Sequence, residues 1–269
     1  MSKALSDTPT ILVFDSGLGG LTVFREVAAM RPDAQYVYAA DDAAFPYGSW
    51  SEGELSDRVT GVMDAMIGRF EPNLIVIACN TASTLVLAEL RRRFSLPFVG
   101  TVPAIKPACA ASKTKLVSVL GTEATVAREY TKALIRDFAQ GCDVTLVGSG
   151  RLAVLAEAAL HGEPADCKAI AAEIAPCFVE KNGARTDIVV LACTHYPLLL
   201  AELTRAAPWP VTFIDPAAAI ARRVTDLLGP AAEAVPRPAA RIHFTSGKVA
   251  PAQLLSTLSG FGFQPEHAV

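Results

Sequence analysis

The 269-residue chain has no apolar run of the roughly 18 residues that a membrane-crossing helix needs. Its opening stretch, MSKALSDTPTILVFDSG, has no long apolar core followed by a small-residue cleavage site. No membrane partner is therefore expected, and a cytoplasmic setting is. Excess basic charge is missing too. With 24 Lys and Arg against 27 Asp and Glu, the net charge is -3 and the pI is near 5.8, which leaves no electrostatic footprint for nucleic acid. No cysteine pair shows CxxC spacing and only four histidines are present, so no metal site is expected. No pyridoxal-phosphate lysine motif is evident, and the expectation for cofactors is none. The six cysteines, in a reducing compartment, read as thiols rather than as a disulfide framework.

What is present is apolar and patterned. Hydrophobic residues make up 51% of the chain and charged residues 19%, the profile of a folded globular protein, and the length suggests two units at about 150 residues each. Short β-branched runs (ILVF at 11–14, QYVYAA at 35–40, LIVIA at 74–78, FVG at 98–100, KLVSVL at 115–120, VTLVG at 144–148, DIVVLA at 187–192, VTFID at 211–215) alternate with amphipathic helical segments. Continuously apolar strands separated by helices imply parallel sheets covered on both faces. Ligands of such sheets lie beyond the carboxyl ends of the strands. Those positions hold Asp15 and Ser16, Asp41 and Asp42, Cys79 with Asn80 and Thr81, Gly121 with Thr122, and Cys193 with Thr194 and His195.

Two of these strand ends resemble one another. LIVIACNTAS and IVVLACTHYP each run from an apolar strand through Ala-Cys to a helix containing LAEL. Two similar halves facing across a cleft would present one thiol from each side. A free cysteine is ordinarily a small buried hydrophobe, the reading given to Cys109, Cys142, Cys167 and Cys177. Cys79 and Cys193 differ because each sits at a strand-to-helix junction in a repeated setting. A helix N-terminus favours thiolate, but by 0.3–1 kcal/mol where lowering a thiol pKa to about 7 needs about 2, so Asp15, Asn80, Thr81, Thr194 and His195 are the expected helpers. A Cys79–Cys193 disulfide is the competing reading, disfavoured in a reducing compartment. FDSGLGGLT partly imitates a dinucleotide fingerprint, but Thr22 stands where Gly or Ala is required and Asp15 crowds the turn. Its glycines read instead as allowing backbone N–H groups to approach a carboxylate at a helix start. Glu157, in VLAEAAL, reads on composition as an ordinary helical glutamate.

A carbon acid between two bases, one protonated and one not, can lose a proton on one face and regain it on the other, which is racemisation. No organic cofactor is needed if preorganised donors stabilise the carbanion-like state and water is excluded. With VFDSGLGGLTV (13–23), FPYG (45–48), ACNTAST (78–84), GTVPAIKPA (100–108), LGTEATV (120–126), LACTHYPLL (191–199) and IDPA (214–217), the chain resembles the glutamate racemases over nearly its whole length. The resemblance implies an α/β fold of two pseudo-symmetric domains, each with a mostly parallel sheet flanked by helices and with the active site in the cleft between them. The first domain would comprise 1–101 plus 211–269 and the second 102–210, with FTSG (244–247) as a late strand end of the first. It implies that Cys79 exchanges the α-proton with D-glutamate and Cys193 with L-glutamate, assisted by Asp15, His195 and Glu157. Ser16, Pro46, Tyr47, Gly48, Asn80, Thr81, Thr122 and Thr194 would hold the substrate. It further implies a homodimer and a supply of D-glutamate for peptidoglycan.

Other readings stay open at this stage. An aspartate racemase of the same superfamily differs by one methylene, which an apolar pocket discriminates by only about 1–3 kcal/mol. A decarboxylase would need one thiol rather than two. A non-catalytic binding module would have no need of both cysteines, and a thiol redox enzyme would ordinarily carry a closer pair.

Overall fold

The computed structural model describes residues 8–139, 141–231 and 240–268. Among the described residues there are twelve strands: β1 (Thr10–Asp15), β2 (Gln35–Ala40), β3 (Leu74–Ile77), β4 (Phe98–Gly100), β5 (Leu116–Thr122), β6 (Asp143–Ser149), β7 (Glu180–Lys181), β8 (Ala184–Arg185), β9 (Ile188–Ala192), β10 (Thr212–Ile214), β11 (Ala240–Phe244) and β12 (Phe263–Ala268). They form a six-stranded sheet in the order β12-β11-β2-β1-β3-β4, a four-stranded sheet in the order β10-β9-β5-β6, and the small hairpin β7-β8. Every pairing in the two large sheets is parallel.

The period-2 alternation of each strand decides what its two faces bury. In β1, Ile11 and Val13 enter one core while Leu12 and Phe14 enter the other; in β3, Leu74 and Val76 separate in the same way from Ile75 and Ile77. All four β3 side chains are fully buried, each contributing about 1.5–3 kcal/mol. The second sheet repeats the plan, with Val189 and Leu191 on one side of β9 and Ile188 and Val190 on the other.

Helices cover both faces. Helix α1 (Leu21–Met30) buries Leu21, Phe24, Val27 and Ala28 at helical spacing. Helix α2 (Glu52–Phe70) starts at Ser51, whose hydroxyl accepts from the Glu54 N–H, and ends where Glu71 turns left-handed at φ 43°. Helix α3 (Asn80–Arg93) follows β3, α4 (Ile105–Ala111) follows β4, and α5 (Glu123–Ala127), α6 (Glu129–Phe138) and α7 (Leu152–Leu160) belong to the second unit.

One expected boundary shifts. The expected return to the first unit is at residue 211, but Thr212–Ile214 adds to the edge of β9 in the second sheet, with the Thr212 N–H donating to Asp187 O at 2.8 Å. The crossing follows at Asp215 and Pro216, where the Asp215 carboxylate accepts from the Ala217 N–H at 2.8 Å and begins the helix Ala217–Leu228. Ile220, Ala221 and Val224 of that helix pack into the core of the first sheet. The FTSG segment lies at the end of β11, in the first sheet.

Candidate active site

The carboxyl ends of β1 and β3 face those of β5 and β9 across a small cavity. Its walls are Ser16, Phe45, Pro46, Tyr47, Gly48, Cys79, Asn80, Thr81, Thr122, Ala153, Cys193, Thr194 and His195, and its volume is about 20 Å³. Both thiols therefore line one space, from opposite sheets, and both are buried. That volume is of the order of one water, so an amino acid fits only after the walls move apart.

On the first side, Cys79 occupies the N-cap of α3, and its sulfur lies 3.6 Å from Ser16 Oγ. Burial pushes the thiol up to about 12, and the neighbouring Asp15 charge adds to this; the Ala82 N–H and Ser16 pull the other way with smaller effect. The helix start thus contributes in the expected sense but loses to desolvation. Asp15, with no exposed surface, accepts from the Gly17 N–H at 3.1 Å and the Thr194 hydroxyl at 3.2 Å. Burial raises its carboxyl above the usual range, with His195 opposing.

On the second side, Cys193 Sγ is 4.0 Å from His195 Nδ1. His195 Nε2 is 2.7 Å from Glu157 Oε2, and that carboxylate also accepts from the Leu18 N–H at 3.1 Å across the cleft. Burial works against the imidazolium, but its contacts with Cys193 and Glu157 and the charges of Glu157 and Asp15 outweigh it, and His195 ends well above its ordinary value. The Gly19 N–H also approaches Nε2, at 3.2 Å, and Nε2 cannot both accept there and donate to Glu157. We assign the proton to Nε2 because the carboxylate contact is shorter and a cationic ring donates from both nitrogens.

The glycine-rich turn makes this approach possible. A Cβ on Gly19 would stand 2.2 Å from His195 Nδ1, and one on Gly17 would stand 3.0 Å from Glu157 Oε2. The glycines thus bring backbone N–H groups to carboxylates, those of Asp15 and Glu157.

The remaining expected residues differ in how they are held. Asn80 keeps both side-chain amide atoms buried with no partner, beside the cavity, an arrangement that a ligand with a donor and an acceptor would satisfy. The hydroxyls of Thr81, Thr122 and Thr125 join at 2.9–3.2 Å. Tyr47 lines the cavity, but its hydroxyl is committed elsewhere, donating to Asp41 at 2.5 Å. Burial tends to raise the Asp41 carboxyl, but Arg58, Thr245 and Tyr47 together hold it below the usual range. Phe45 and Ala153 were not anticipated as wall residues: Phe45 stands inside the quoted FPYG segment, whereas nothing in the sequence marks Ala153. Glu157, which composition left as an ordinary helical residue, is instead the partner of His195.

Comparison with known proteins places the chain in a family. Residues 21–224 match the family described as Asp/Glu/hydantoin racemases. A glutamate racemase from Brucella canis is 58% identical over 219 residues, covering 81% of this chain and 79% of that protein. Among solved structures, Escherichia coli glutamate racemase, in complex with L-glutamate and the activator UDP-MurNAc-Ala, superposes with a TM-score of 0.87 at 42% identity, covering 96% of both chains. A Bacillus anthracis glutamate racemase isoform does so with 0.80 at 26%, covering 96% and 97%. The chain belongs to the Asp/Glu racemase family. Within that family it is an isomerase of the glutamate racemase type.

Proposed function

We propose that the chain interconverts L- and D-glutamate without a cofactor, moving the α-proton between Cys79 and Cys193 on opposite faces of the substrate. The observation that carries this reading is the pair of buried thiols, one from each sheet, lining a single cavity. Glutamate as substrate is supported by the L-glutamate bound to the Escherichia coli relative.

In one direction the Cys79 thiolate removes the α-proton while Cys193, as a thiol, supplies one to the far face; in the other the roles exchange. With the Cys79 thiol at about 12, forming the thiolate at pH 8 costs about 5 kcal/mol. The entering α-ammonium reduces that cost by bringing a positive charge beside Asp15 and Cys79. Charge then develops on the α-carbon and its carboxylate, where Asn80, Thr81 and Thr122 supply donors preorganised in a water-poor space, while Thr194, whose hydroxyl donates to Asp15, lines the wall beside them. His195, held by Glu157, passes a proton to or from Cys193; Asp15, held by Gly17 and Thr194, serves the Cys79 side. Ser16, Pro46, Tyr47 and Gly48 close the wall around the substrate.

On this reading the product D-glutamate feeds peptidoglycan synthesis in the cytoplasm, and the chain acts as a homodimer. Its two domains comprise 1–101 with 216–269, and 102–215. The test is incubation with L-glutamate in D₂O, without added metal or pyridoxal phosphate, following optical rotation and the α-proton signal. Inversion with deuterium at the α-carbon supports the proposal. Flat signals from both enantiomers overturn it and make aspartate the next substrate to try.

A further inference from the structure

Arg128 carries a charge that the mechanism above does not use. Its side chain is only 7% exposed, and its guanidinium Nη1 donates to Glu52 Oε1, whose side chain is 74% exposed. Glu52 begins α2, just after the Tyr47–Ser49 turn that lines the cavity, whereas Arg128 follows α5 in the second unit. Among the ion pairs of the described residues this is the one that joins the two units.

A surface tie does not account for this geometry. The cationic end is the buried one, and Arg128 Nε is enclosed with no hydrogen-bond partner, an expensive arrangement unless the charge serves something inside. Inside lies Cys79. Thr125, three residues before Arg128, contacts Thr81 at 3.2 Å, and Thr81 is two residues beyond Cys79 at the start of the same helix. Burial pulls the guanidinium below its usual value, while Glu52 and the Cys79 sulfur pull it back.

The geometry points to Arg128 as an electrostatic positioning residue for proton transfer at Cys79, with Glu52 masking its cation from the outside of the cleft. The inference rests on the two-thiol reading. Negative charge on the Cys79 sulfur and on the adjacent α-carbon is stabilised by a cation that touches neither, and Glu52 sets how much of that cation is felt.

Three variants test this because charge and simple tethering predict different signs. Arg128→Gln should lower kcat/KM severalfold and move the acid limb of its pH profile upward, the direction in which losing an opposite charge moves a thiol. Arg128→Lys should restore most of the loss. Glu52→Gln, which leaves the cation in place but unmasked, should raise kcat/KM and move the limb downward. If Glu52→Gln instead lowers kcat/KM with the limb unmoved, the pair is only a tether and the inference fails, whether or not Arg128→Gln folds. A second readout does not need turnover: the pH dependence of iodoacetamide labelling at Cys79, followed by peptide mass spectrometry, should shift in the same directions. Absence of deuterium incorporation by the wild-type protein would sink the racemase reading alone, because the labelling shifts would still decide whether Arg128 acts on Cys79.

Discussion

Gly19→Ala tests whether the closed arrangement of the cleft is the working one. The new methyl would fall 2.2 Å from His195 Nδ1, 2.6 Å from Cγ and 2.6 Å from the His195 backbone nitrogen. Ring rotation could relieve the first two contacts but not the third, because backbone cannot swing aside. Reaching an ordinary separation of 3.4 Å requires the two units to part by about 0.8 Å at this point. Overpacking of this kind costs about 1–3 kcal/mol, a factor of about 5–150 in the closed population. An independent route gives the same order, since a displacement of about 1 Å at a reacting centre costs about 100-fold. We therefore expect kcat/KM for glutamate, measured by deuterium incorporation in D₂O, to fall by 10- to 100-fold. The thermal midpoint should move little, because the clash lies between the units and not inside either core. Gly53→Ala is the matched control: nothing lies within 4 Å of its new methyl, and alanine is favoured by about 1 kcal/mol in a helix, so activity should be unchanged. A Gly19→Ala protein within threefold of wild type would refute the proposition that the turn must approach His195 this closely for catalysis.

Other predictions concern the titrating groups. Cys79→Ala and Cys193→Ala should each reduce racemisation at least about 10³-fold with unchanged circular dichroism; near-normal rates in either would remove the paired-base mechanism. Glu157→Gln takes away a hydrogen bond and a charge that raise His195, so the alkaline loss of activity should begin at lower pH, and a pH profile with an unmoved alkaline limb would contradict this. Asp15→Asn should abolish most activity while stabilising the fold at neutral pH. The folded-state pKa of Asp15 is raised, so the group disfavours folding increasingly as pH rises from about 4 through that folded value. A melting midpoint at pH 7 at least about 2 °C above wild type, with the difference vanishing below pH 4, is the expected result, and a lower midpoint at pH 7 would refute it.

The sheets were legible because their strands are fully apolar and short, and because small polar residues follow them at the ends where ligands gather. That Cys79, Cys193, Asp15 and His195 stand at strand ends beside one cleft could be read from position alone. Glu157 could not be placed there, since it lies within an alanine-rich helix and its importance arises only when α7 brings it across to His195 and Leu18. The same limit applies to Ala153, which carries no chemistry of its own, and to Arg128, whose burial depends on how the two units close. The strand at 212–214 is legible as a strand, but the sheet it joins is the second and not the expected first. Its three residues specify extended backbone, while the choice of partner depends on the edge that β9 offers.

The repeat in the sequence also conceals an asymmetry. ACNT and ACTH look equivalent, yet Cys79 has a hydroxyl from Ser16 and a buried carboxyl from Asp15 beside it, whereas Cys193 has a cationic ring held by Glu157. Enantiomers have equal free energies in water, so a racemase must show the same kcat/KM in both directions at every pH, however unlike its two bases are. The unlike surroundings can therefore appear only in kcat and KM separately, through which thiol bears the charge once substrate is bound. The side with Asp15 needs a positive charge to offset both burial and the carboxyl, and the substrate's own ammonium brings one. The side with His195 already has it. On the proposed mechanism, a racemase built this way uses its substrate, together with the Arg128 cation, to complete one of its two bases.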